Sequence, residues 1–299
     1  MRLAAVLHLA IESVFSRPGA RRRHAEPDGH EHGGRLRDGV AARAAVLAAV
    51  AAAAIATGAP AAAQAPAYPN KAVRMILPFG PGSGTDMMAR AAADELRNLL
   101  GQSFVVDNHA GANGFIAAEM AAKAPADGYT LFVTASTTHA TNPFLFRKMP
   151  YDPDKDFTPV GGLMEAYYVV LVSRDLPVDS LQDLIAWLKA NPKKASYGWG
   201  ATVSQLAGGA LLARTGTTAA GVAYRSSPQA VTDLLGGQIH FIVLDVTTAL
   251  AHIKAGRAKG LAVTSPLRLN ALPDVPTMAQ AGVPDFAAAT WVGVFAPSG

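Results

Sequence analysis

A glycine-rich turn carries the residues best suited to chemistry in this sequence. Residues 78–86 read Pro-Phe-Gly-Pro-Gly-Ser-Gly-Thr-Asp and lie between a predicted strand and a predicted helix. Glycines there let the backbone approach a ligand closely, and the helix start carries about half a positive charge. The turn therefore predicts an anion site that needs no lysine or arginine. The alternative is an ordinary turn in which Ser83 or Thr85 caps the helix and Asp86 complements its dipole.

Nucleotide binding and catalysis find little support in the motifs. No Gly-Lys-Ser/Thr follows the turn, and the third glycine of a dinucleotide fingerprint would fall on Met87. There is no cysteine and no Gly-x-Ser-x-Gly elbow. After residue 67 the histidines are His109, His139, His240 and His252, none in a metal-ligand spacing. His139 follows the hydroxyl residues 136–138 and could act as a base, but a loop histidine that holds backbone is the favoured interpretation.

The charge of the chain is concentrated in its first part. The sequence has 299 residues, half of them apolar and 16% charged, with a net charge of +4. Residues 1–67 hold eight Lys/Arg and five Asp/Glu, which leaves 18 basic and 17 acidic residues in the remainder. Because charge confined to a removable segment cannot form a phosphate-binding face, the sequence argues against nucleic acid as a partner. The length fits one large domain or two modest ones.

The first part of the chain predicts export. Arg35, Arg37 and Arg43 precede an apolar run at 44–56, which Gly58, Pro60 and small residues follow. This order is typical of a cleaved secretory signal peptide. A membrane anchor is the alternative, but a helix over the run would be about 20 Å long, shorter than the ~30 Å core of a bilayer. Residues 1–34 are unusual before a signal peptide, and a wrongly assigned start codon is the preferred explanation.

From residue 68 onward, short apolar stretches alternate with helix-length segments, which predicts an α/β fold with a largely parallel sheet. The predicted strands are 73–77, 104–107, 129–134, 160–163, 169–173, 239–244 and 260–264. The predicted helices are 85–100, 114–124, 181–190, 204–215, 227–235 and 247–255. Extended stretches near 163–170 and 261–266 are expected to cross between two domains.

The order of these segments resembles a known family of receptors. Residues 68–71 (Tyr-Pro-Asn-Lys) followed by 73–86 look like the opening of the extracytoplasmic solute receptors of tripartite tricarboxylate transporters, the Bug family. The stretch 150–160 (Pro-Tyr-Asp-Pro-Asp-Lys-Asp-Phe-Thr-Pro-Val) resembles the most diagnostic stretch of the family. Further similar stretches occur in order at 106–118, 126–131, 234–237, 251–256, 261–265 and 272–276. The resemblance spans about 68–299.

The resemblance implies a type II periplasmic binding protein fold, with two α/β domains joined by crossover strands and a ligand cleft between them. It assigns 68–166 and 265–299 to domain 1, 167–264 to domain 2, and 1–67 to the extension and signal peptide. It also implies that backbone amides and ordered water hold a small organic carboxylate. The residues that it places at the cleft are Phe79, Pro81, Gly82, Ser83, Gly84, Thr85, Asp86, Thr134, Ser136, Thr137, Gly200, Ala201, Thr202, Ser204, Gln205, Tyr224, Arg225 and Asp245.

Several of these positions have structural alternatives. Ser204 is expected to be the N-cap of its helix. Asp245 either caps the helix near Thr247 or orients donors or water, since its charge would repel an anionic ligand. Trp199 is a stacking wall or a core residue, and core is favoured.

Some positions depart from the pattern of the family. Gln205 stands where many relatives have His, Arg225 and Ser226 stand where they have Lys-Gly, and His109 also differs. If Arg225 points inward, it would bind a second carboxylate of the ligand. Relatives continue past the position of Gly299 with a C-terminal helix, so an exposed apolar groove is expected on domain 1.

The leading hypothesis is therefore a periplasmic receptor, exported by a cleaved signal peptide and monomeric. It would bind a carboxylate without chemistry, metal or cofactor, and deliver it to the membrane permease subunits of a tripartite tricarboxylate transporter. One alternative keeps the binding but signals to a sensor kinase. Another is an α/β enzyme that acts on a carboxylate, with His139 or Asp86 as the base.

Overall fold

The computed structural model describes residues 68–299, so the predicted signal peptide and extension lie outside the described residues. The described strands are β1 (Val73–Leu77), β2 (Phe104–Asn108), β3 (Thr130–Ala135), β4 (Phe157–Ser173), β5 (Ser196–Trp199), β6 (Ala220–Ala223), β7 (Phe241–Asp245), β8 (Ala258–Val263) and β9 (Ala289–Pro297). The described α-helices are α1 (Gly84–Leu100), α2 (Phe115–Ala122), α3 (Asn142–Leu145), α4 (Leu181–Ala190), α5 (Thr202–Thr215), α6 (Ser227–Leu235) and α7 (Val246–Lys254).

Strand β4 links two sheets. Up to Tyr167 it pairs with β9, and from Tyr168 onward it pairs with β7 and β8. The first sheet has the strand order β2-β1-β3-β9-β4. The second sheet runs from β4 through β7 and β5 to β6, with β8 on the other edge of β4. A single strand thus crosses from one sheet to the other, close to the predicted crossover near 163–170.

The two sheets mix strand directions. The neighbours β2-β1-β3 and β6-β5-β7 are parallel, whereas every pair that involves β4 or β9 is antiparallel. The prediction of a largely parallel sheet is therefore wrong around β4 and β9, because an apolar pattern reveals a strand but not the direction of its neighbours.

The sequence predicts two short strands where the structure has one. Strand β4 is continuous over 17 residues. Its pairing with β9 shifts register between Pro159 and Gly161 and again between Gly162 and Met164. These irregularities interrupt the alternation of apolar residues while the ladder itself continues. The four-residue strands β5 and β6 and the later β9 also escape the sequence analysis, since each contains glycine and lacks a long apolar run.

The second sheet is buried on both faces. Val170 and Val172 of β4 belong to a core with α4 and α5, whereas Val169 and Leu171 belong to a core with α6 and α7. Burial on both faces explains the continuous apolar runs of the central strands. The covering helices also fix the positions from which the loops at the strand ends project.

Helix α1 ends where the sequence predicts. Gly101 follows its last residue in the left-handed conformation, with φ 72°, and donates its N–H to the carbonyl of Arg97. A residue without Cβ adopts this conformation at no steric cost. Within residues 68–299, no helix combines the length and apolarity that crossing a bilayer demands.

A wide apolar groove lies along β4 and β9 in the first sheet. It has a volume of about 780 Å³ and is lined by residues 159–165 and 289–295. Trp291 on β9 is among the exposed large apolar side chains. An exposed apolar groove was predicted, and one lies on the first sheet. That this sheet belongs to a separate domain 1 stays a prediction.

Candidate functional site

The loops that follow the parallel strands of the two sheets meet around two adjoining cavities. Loops after β1, β2 and β3 approach from the first sheet, and loops after β5, β6 and β7 approach from the second sheet. The carboxyl ends of parallel strands are the usual place for ligand sites in such sheets. Phe79, Thr137 and Ala201 line both cavities, so the two spaces are neighbours.

The larger cavity has the size of a small-molecule site. Its volume is about 420 Å³, which lies in the range that binds small ligands. Loops of the first sheet and loops of the second sheet both contribute to its lining. The lining residues are Pro78, Phe79, Ala110, Gly111, Ala112, Asn113, Gly114, Ile116, Thr137, Trp199, Gly200, Ala201, Thr202, Ala223, Tyr224 and Arg225.

The smaller cavity has a volume of about 30 Å³ and a lining of both polar and apolar residues. That space suits one or two water molecules rather than a carboxylic acid. Its polar lining comes from Ser83, Thr85, Thr137, Ser204, Ser227, Asp245 and Thr290. Such a chamber can relay hydrogen bonds between the two sheets through water.

The structure brings most of the predicted site residues to these cavities. The larger one is lined by Phe79, Thr137, Gly200, Ala201, Thr202, Tyr224 and Arg225, and the smaller one by Phe79, Ser83, Gly84, Thr85, Thr137, Ala201, Ser204 and Asp245. Neither is lined by Pro81, Gly82, Asp86, Thr134, Ser136 or Gln205. Two of these six use their hydroxyls elsewhere: Thr134 Oγ1 lies 2.8 Å from Thr138 Oγ1, and Ser136 Oγ lies 2.8 Å from Thr290 Oγ1.

Three N–H groups of the glycine turn are bonded within the turn. The Gly82 N–H donates to the Asp86 carboxylate (2.9 Å), and the Ser83 N–H donates to the carbonyl of Gly80 (3.2 Å). The Ser83 hydroxyl caps α1 by accepting from the Asp86 N–H. The capping alternative therefore holds for Ser83, and the N–H groups of Gly82, Ser83 and Asp86 are not available to an anion.

The Asp86 carboxylate stabilises the turn through hydrogen bonds and an ion pair. Its carboxylate forms an ion pair with Arg90 and accepts from Asn108, whose amide also donates to the carbonyl of Phe79. Burial alone would raise the pKa of Asp86, but the hydrogen bonds from Arg90, Gly82 and Asn108 bring it below the usual value. The charged carboxylate is thus fully engaged in holding the loop after β1, which makes it unsuitable as the base of the enzyme alternative.

One contact, here called the closing contact, joins the turn to the second sheet. The Gly84 N–H donates to Thr248 Oγ1 (2.8 Å), and the Thr248 hydroxyl donates to Asp245 (2.9 Å). Asp245 also caps α7 through the Thr248 N–H (2.8 Å). Burial raises the pKa of Asp245, and the bonds from Thr248 oppose this rise. Asp245 therefore caps α7, as one of its two predicted roles requires, and it also orients the Thr248 hydroxyl. That it orients donors or water for a ligand stays a prediction.

Position 84 must be glycine because the closing contact leaves no space for a Cβ. A Cβ on Gly84 would overlap Asp245 Oδ1 and lie 3.2 Å from Thr247 Cβ. Gly80 faces Ser226 in the same way, since a Cβ there would lie 2.7 Å from Ser226 Cβ. Glycine backbone in the first-sheet loops therefore packs directly against side chains from the second-sheet loops.

Helix α5 begins at the larger cavity with free donors. Its N-cap is Ala201, which has no side chain able to cap. Thr202, the first helical residue, is 2% exposed, and among the described residues its hydroxyl has no hydrogen-bond partner. The first N–H groups of a helix have no intrahelical acceptors and sit at the positive end of its dipole. This helix start therefore offers what an anion needs: uncommitted backbone donors and an unpaired hydroxyl.

The prediction that Ser204 is the N-cap is wrong. Helix α5 begins two residues earlier, and the Ser204 hydroxyl donates to the carbonyl of Val243 from within the helix. Gly200 lets the chain before α5 approach the start of α6 closely, since a Cβ there would overlap the backbone at Ser226 and Ser227. The close approach places the starts of α5 and α6 side by side. Helix α6 likewise has no side-chain cap, although Ser226 occupies its N-cap.

Two wall elements were not predicted as site residues. Trp199, for which a core position was favoured over a cavity wall, is half-buried and lines the larger cavity while its ring packs on Gly221 and Tyr197. The loop 110–114 lines the same cavity, and Gly111 to Gly114 all have positive φ. Such a run is strained for Ala112 and Asn113, and strain of this kind clusters at functional sites. The signal available from sequence was the pair of glycines that flank Asn113.

His139 lies away from both cavities. Its ring stacks on Phe295 with the centroids 4.1 Å apart, and Nδ1 lies 2.9 Å from Thr138 Oγ1. Burial lowers the pKa of His139 to about 4, which a weak attraction to Asp154 slightly opposes. His139 is therefore a neutral packing residue at pH 7 and does not support the enzyme alternative. The described residues also contain no group of three His, Cys, Asp or Glu side chains placed to hold a metal.

We expect His139 to make the fold sensitive to acid. The unfolded chain takes up a proton near the ordinary histidine pKa of about 6.5, whereas the folded protein resists it down to about 4. Stability is thus unaffected above this window and falls by up to about 3 kcal/mol as the pH drops through it. Urea unfolding near neutrality and near the lower end of the window measures the loss. In a His139→Phe variant the loss should be smaller by that amount, and an equal loss in both proteins would contradict the assignment.

Comparison with known proteins gives a consistent result. The family described as "Tripartite tricarboxylate transporter family receptor" matches residues 88–299. The chain is 39% identical to Protein BugT of Bordetella pertussis over 257 residues, which cover 85% of this chain and 79% of BugT. R. palustris Rpa4515, solved with adipate, is 38% identical with a TM-score of 0.76 and 78% of each chain covered. MatC from Rhodopseudomonas palustris, solved with bound malate, is 31% identical with a TM-score of 0.73, covering 78% of this chain and 80% of MatC.

Proposed function

The chain belongs to the receptor family of the tripartite tricarboxylate transporters, and we propose that it captures a small organic carboxylate in its larger cavity and delivers it to the membrane permease subunits of such a transporter. Its fold is that of periplasmic solute-binding proteins, and a solved relative is described as a periplasmic binding protein. A periplasmic location agrees with the signal peptide predicted in residues 1–67.

The start of α5 is the observation that carries the carboxylate assignment. A buried hydroxyl without a partner costs about 1–3 kcal/mol, and Thr202 has such a hydroxyl on the wall of a 420 Å³ cavity. A ligand carboxylate that accepts from Thr202 and from the first N–H groups of α5 would remove this cost. The same acceptor would be stabilised by the positive end of the helix dipole.

Reversible binding follows from the type of donor. The donors at the α5 start are uncharged, so the ligand is held by several moderate bonds rather than by a buried ion pair. The smaller cavity beside Asp245 would hold water that links the ligand to both sheets through the polar part of its lining. Micromolar affinity corresponds to about −8 kcal/mol, a range that a few such bonds reach after ordering costs.

Closure of the two sheets around the ligand is part of the proposal. We infer that 68–166 with 265–299 and 167–264 form two bodies that hinge where β4 passes between the sheets. A ligand that touches loops of both bodies stabilises the closed arrangement over the open one. The permease would then recognise the closed receptor and induce its reopening.

A carboxylate panel tests the proposal. We expect the melting temperature of the purified protein to rise by about 5–10 °C at 100-fold excess over Kd with one or more of succinate, adipate, malate or hexanoate. The matched neutral compounds adipamide and hexanamide should give no shift, because they lack the anionic acceptor. Product analysis of the same samples should show the ligand unchanged. Absence of stabilisation by every carboxylate, or multiple turnovers, would contradict the proposal.

A further inference from the structure

The wall of the larger cavity contains the sole Asn-Gly pair of the sequence, Asn113-Gly114. The pair belongs to the loop 110–114, which follows β2. Asparagine before glycine is the dipeptide that loses ammonia most readily, because glycine has no side chain to hinder its own nitrogen from reaching the asparagine amide. Asn113 is exposed, so solvent water reaches it. The cavity wall therefore carries a chemically labile pair.

The backbone of the loop favours both residue types. Asn113 has φ 53° and ψ 27°, a left-handed conformation that asparagine adopts more readily than most residues with a side chain. Gly114 has φ 83°. A Cβ on Gly114 would lie 2.9 Å from Thr138 Cγ2 and 3.0 Å from Pro78 Cβ, so glycine is needed there for space as well. The fold thus retains the labile pair.

The observed conformation of the loop holds the pair in an unreactive geometry. Loss of ammonia begins when the Gly114 nitrogen attacks Asn113 Cγ, which requires that nitrogen and Cβ lie on the same side of the Cα–C bond. At ψ 27° the tetrahedral Cα places them on nearly opposite sides. The Gly114 N–H also donates to the carbonyl of Gly111 (2.9 Å), and the Asn113 carbonyl accepts from Asn142 Nδ2 (2.8 Å). Reaction therefore requires the loop to open and release these bonds.

We propose that Asn113 is a site of spontaneous deamidation, that it reacts through an opened form of the loop 110–114, and that its conversion inactivates the receptor. In the first step a bond forms between the Gly114 nitrogen and Asn113 Cγ. The Cγ–Nδ2 bond breaks, and Nδ2 leaves as ammonia with the proton of the Gly114 amide. Water then opens the cyclic imide to aspartate or isoaspartate, and the new carboxyl group releases its proton to solvent.

The product changes the charge of the cavity. Arg225 is the only charged side chain in the lining, which holds no carboxylate. A carboxylate at position 113 would neutralise this positive charge and repel an anionic ligand. Isoaspartate also adds a methylene group to the backbone, and thereby displaces the loop whose Ala110 carbonyl accepts from Arg225 Nε (3.1 Å). This loss of capture is the part of the inference that rests on the proposed function.

Ligand occupancy protects the site. A ligand in the larger cavity favours the observed conformation of the loop 110–114, because that loop is part of the cavity wall. Anything that binds one form of a protein lowers the population of the other form by mass action. Deamidation therefore inactivates empty receptors faster than occupied ones.

Peptide mass spectrometry during incubation in mildly alkaline buffer tests the inference. The samples are the folded protein, the chain unfolded in urea, and the folded protein with whichever of succinate, adipate, malate or hexanoate stabilises it most, at about 100 times its Kd. The gain of one mass unit at Asn113 should be slower in the folded protein than in the unfolded chain by about tenfold or more. The acid should slow it by about tenfold again. Carboxylate binding, measured by calorimetry, should be lost in parallel with conversion.

Two variants separate the charge from other effects of incubation. Asn113→Gly tolerates the left-handed conformation and has no side-chain amide, so during incubation it should keep the affinity with which it starts. Asn113→Asp carries the charge of the product from the beginning. It should bind the same acid about tenfold more weakly than fresh wild-type protein, or weaker still.

The outcomes distinguish this inference from the proposed function. Equal rates in the folded and unfolded samples, equal rates with and without the acid, or an intact Asn113 in the empty folded protein after about 100 half-lives of the unfolded chain would overturn the inference. Wild-type affinity in Asn113→Asp would overturn the inactivation. If no carboxylate binds to fresh wild-type protein, the proposed function fails, while the folded and unfolded rates still decide whether Asn113 reacts through loop opening.

Discussion

Thr202→Val is expected to weaken carboxylate binding by about 10- to 100-fold, because hydrogen bonds to charged groups contribute about 1.5–3 kcal/mol. Without ligand the substitution removes a buried hydroxyl that has no partner among the described residues. Stability of the free protein should therefore stay the same or rise slightly. Calorimetric titration and urea unfolding measure the two effects in one preparation.

Thr215→Val is a matched control at the other end of α5. The Thr215 hydroxyl donates to the carbonyl of Leu211 (2.8 Å) and lies 2.8 Å from Thr217 Oγ1. Its loss should cost about 1 kcal/mol of stability and leave ligand affinity unchanged. Thr202→Val should thus lower ligand affinity and keep stability, whereas Thr215→Val should lower stability and keep ligand affinity. If Thr202→Val binds carboxylates with wild-type affinity, the start of α5 does not bind the ligand.

Gly84→Ala should weaken binding by about 30-fold by opposing closure. The added methyl group would overlap Asp245 Oδ1 when the Gly84 N–H reaches Thr248. Overpacking of this kind costs about 1–3 kcal/mol, and apparent affinity falls with the population of the closed form. Under the proposed hinge motion, the open form has room for the methyl group, so the melting temperature without ligand should change little. Small-angle scattering with saturating ligand should then show a larger radius of gyration than for the wild type.

Gly162→Ala serves as the control for Gly84→Ala. A Cβ on Gly162 would meet nothing within 4 Å, and its φ is not in the left-handed region. This variant should bind like the wild type. If Gly84→Ala binds as tightly as Gly162→Ala, the closing contact is not needed for ligand capture.

The elements with strong local signals could be predicted from the sequence. Residues 181–190 and 227–235 form helices with the predicted bounds. For the first, Ser180 and Asp183 form a capping box, which is a purely local signal. Strand 73–77 also has its predicted bounds, because it is a buried apolar run. By contrast, the continuity of β4 depends on its pairing with β9, β7 and β8, which lie far away in the sequence.

The donors at the site were harder to predict than its location. The composition of the glycine turn predicts anion binding, yet the N–H groups of Gly82 and Ser83 donate hydrogen bonds within the turn. Which helix start remains uncapped depends on tertiary contacts: Gly84 is bound by Thr248, 164 residues away, whereas α5 begins at Ala201. The sequence cannot show that the Thr202 hydroxyl is unpaired, because its pairing depends on which acceptors and donors the fold brings near it.

A crystal structure of the protein with bound adipate tests the central claim most directly. The account predicts one carboxylate oxygen within about 3 Å of Thr202 Oγ1, with the chain of the ligand along Phe79 and Trp199. Density for the ligand at another place, or a larger cavity that stays free of ligand at saturating adipate while calorimetry records binding, would contradict it.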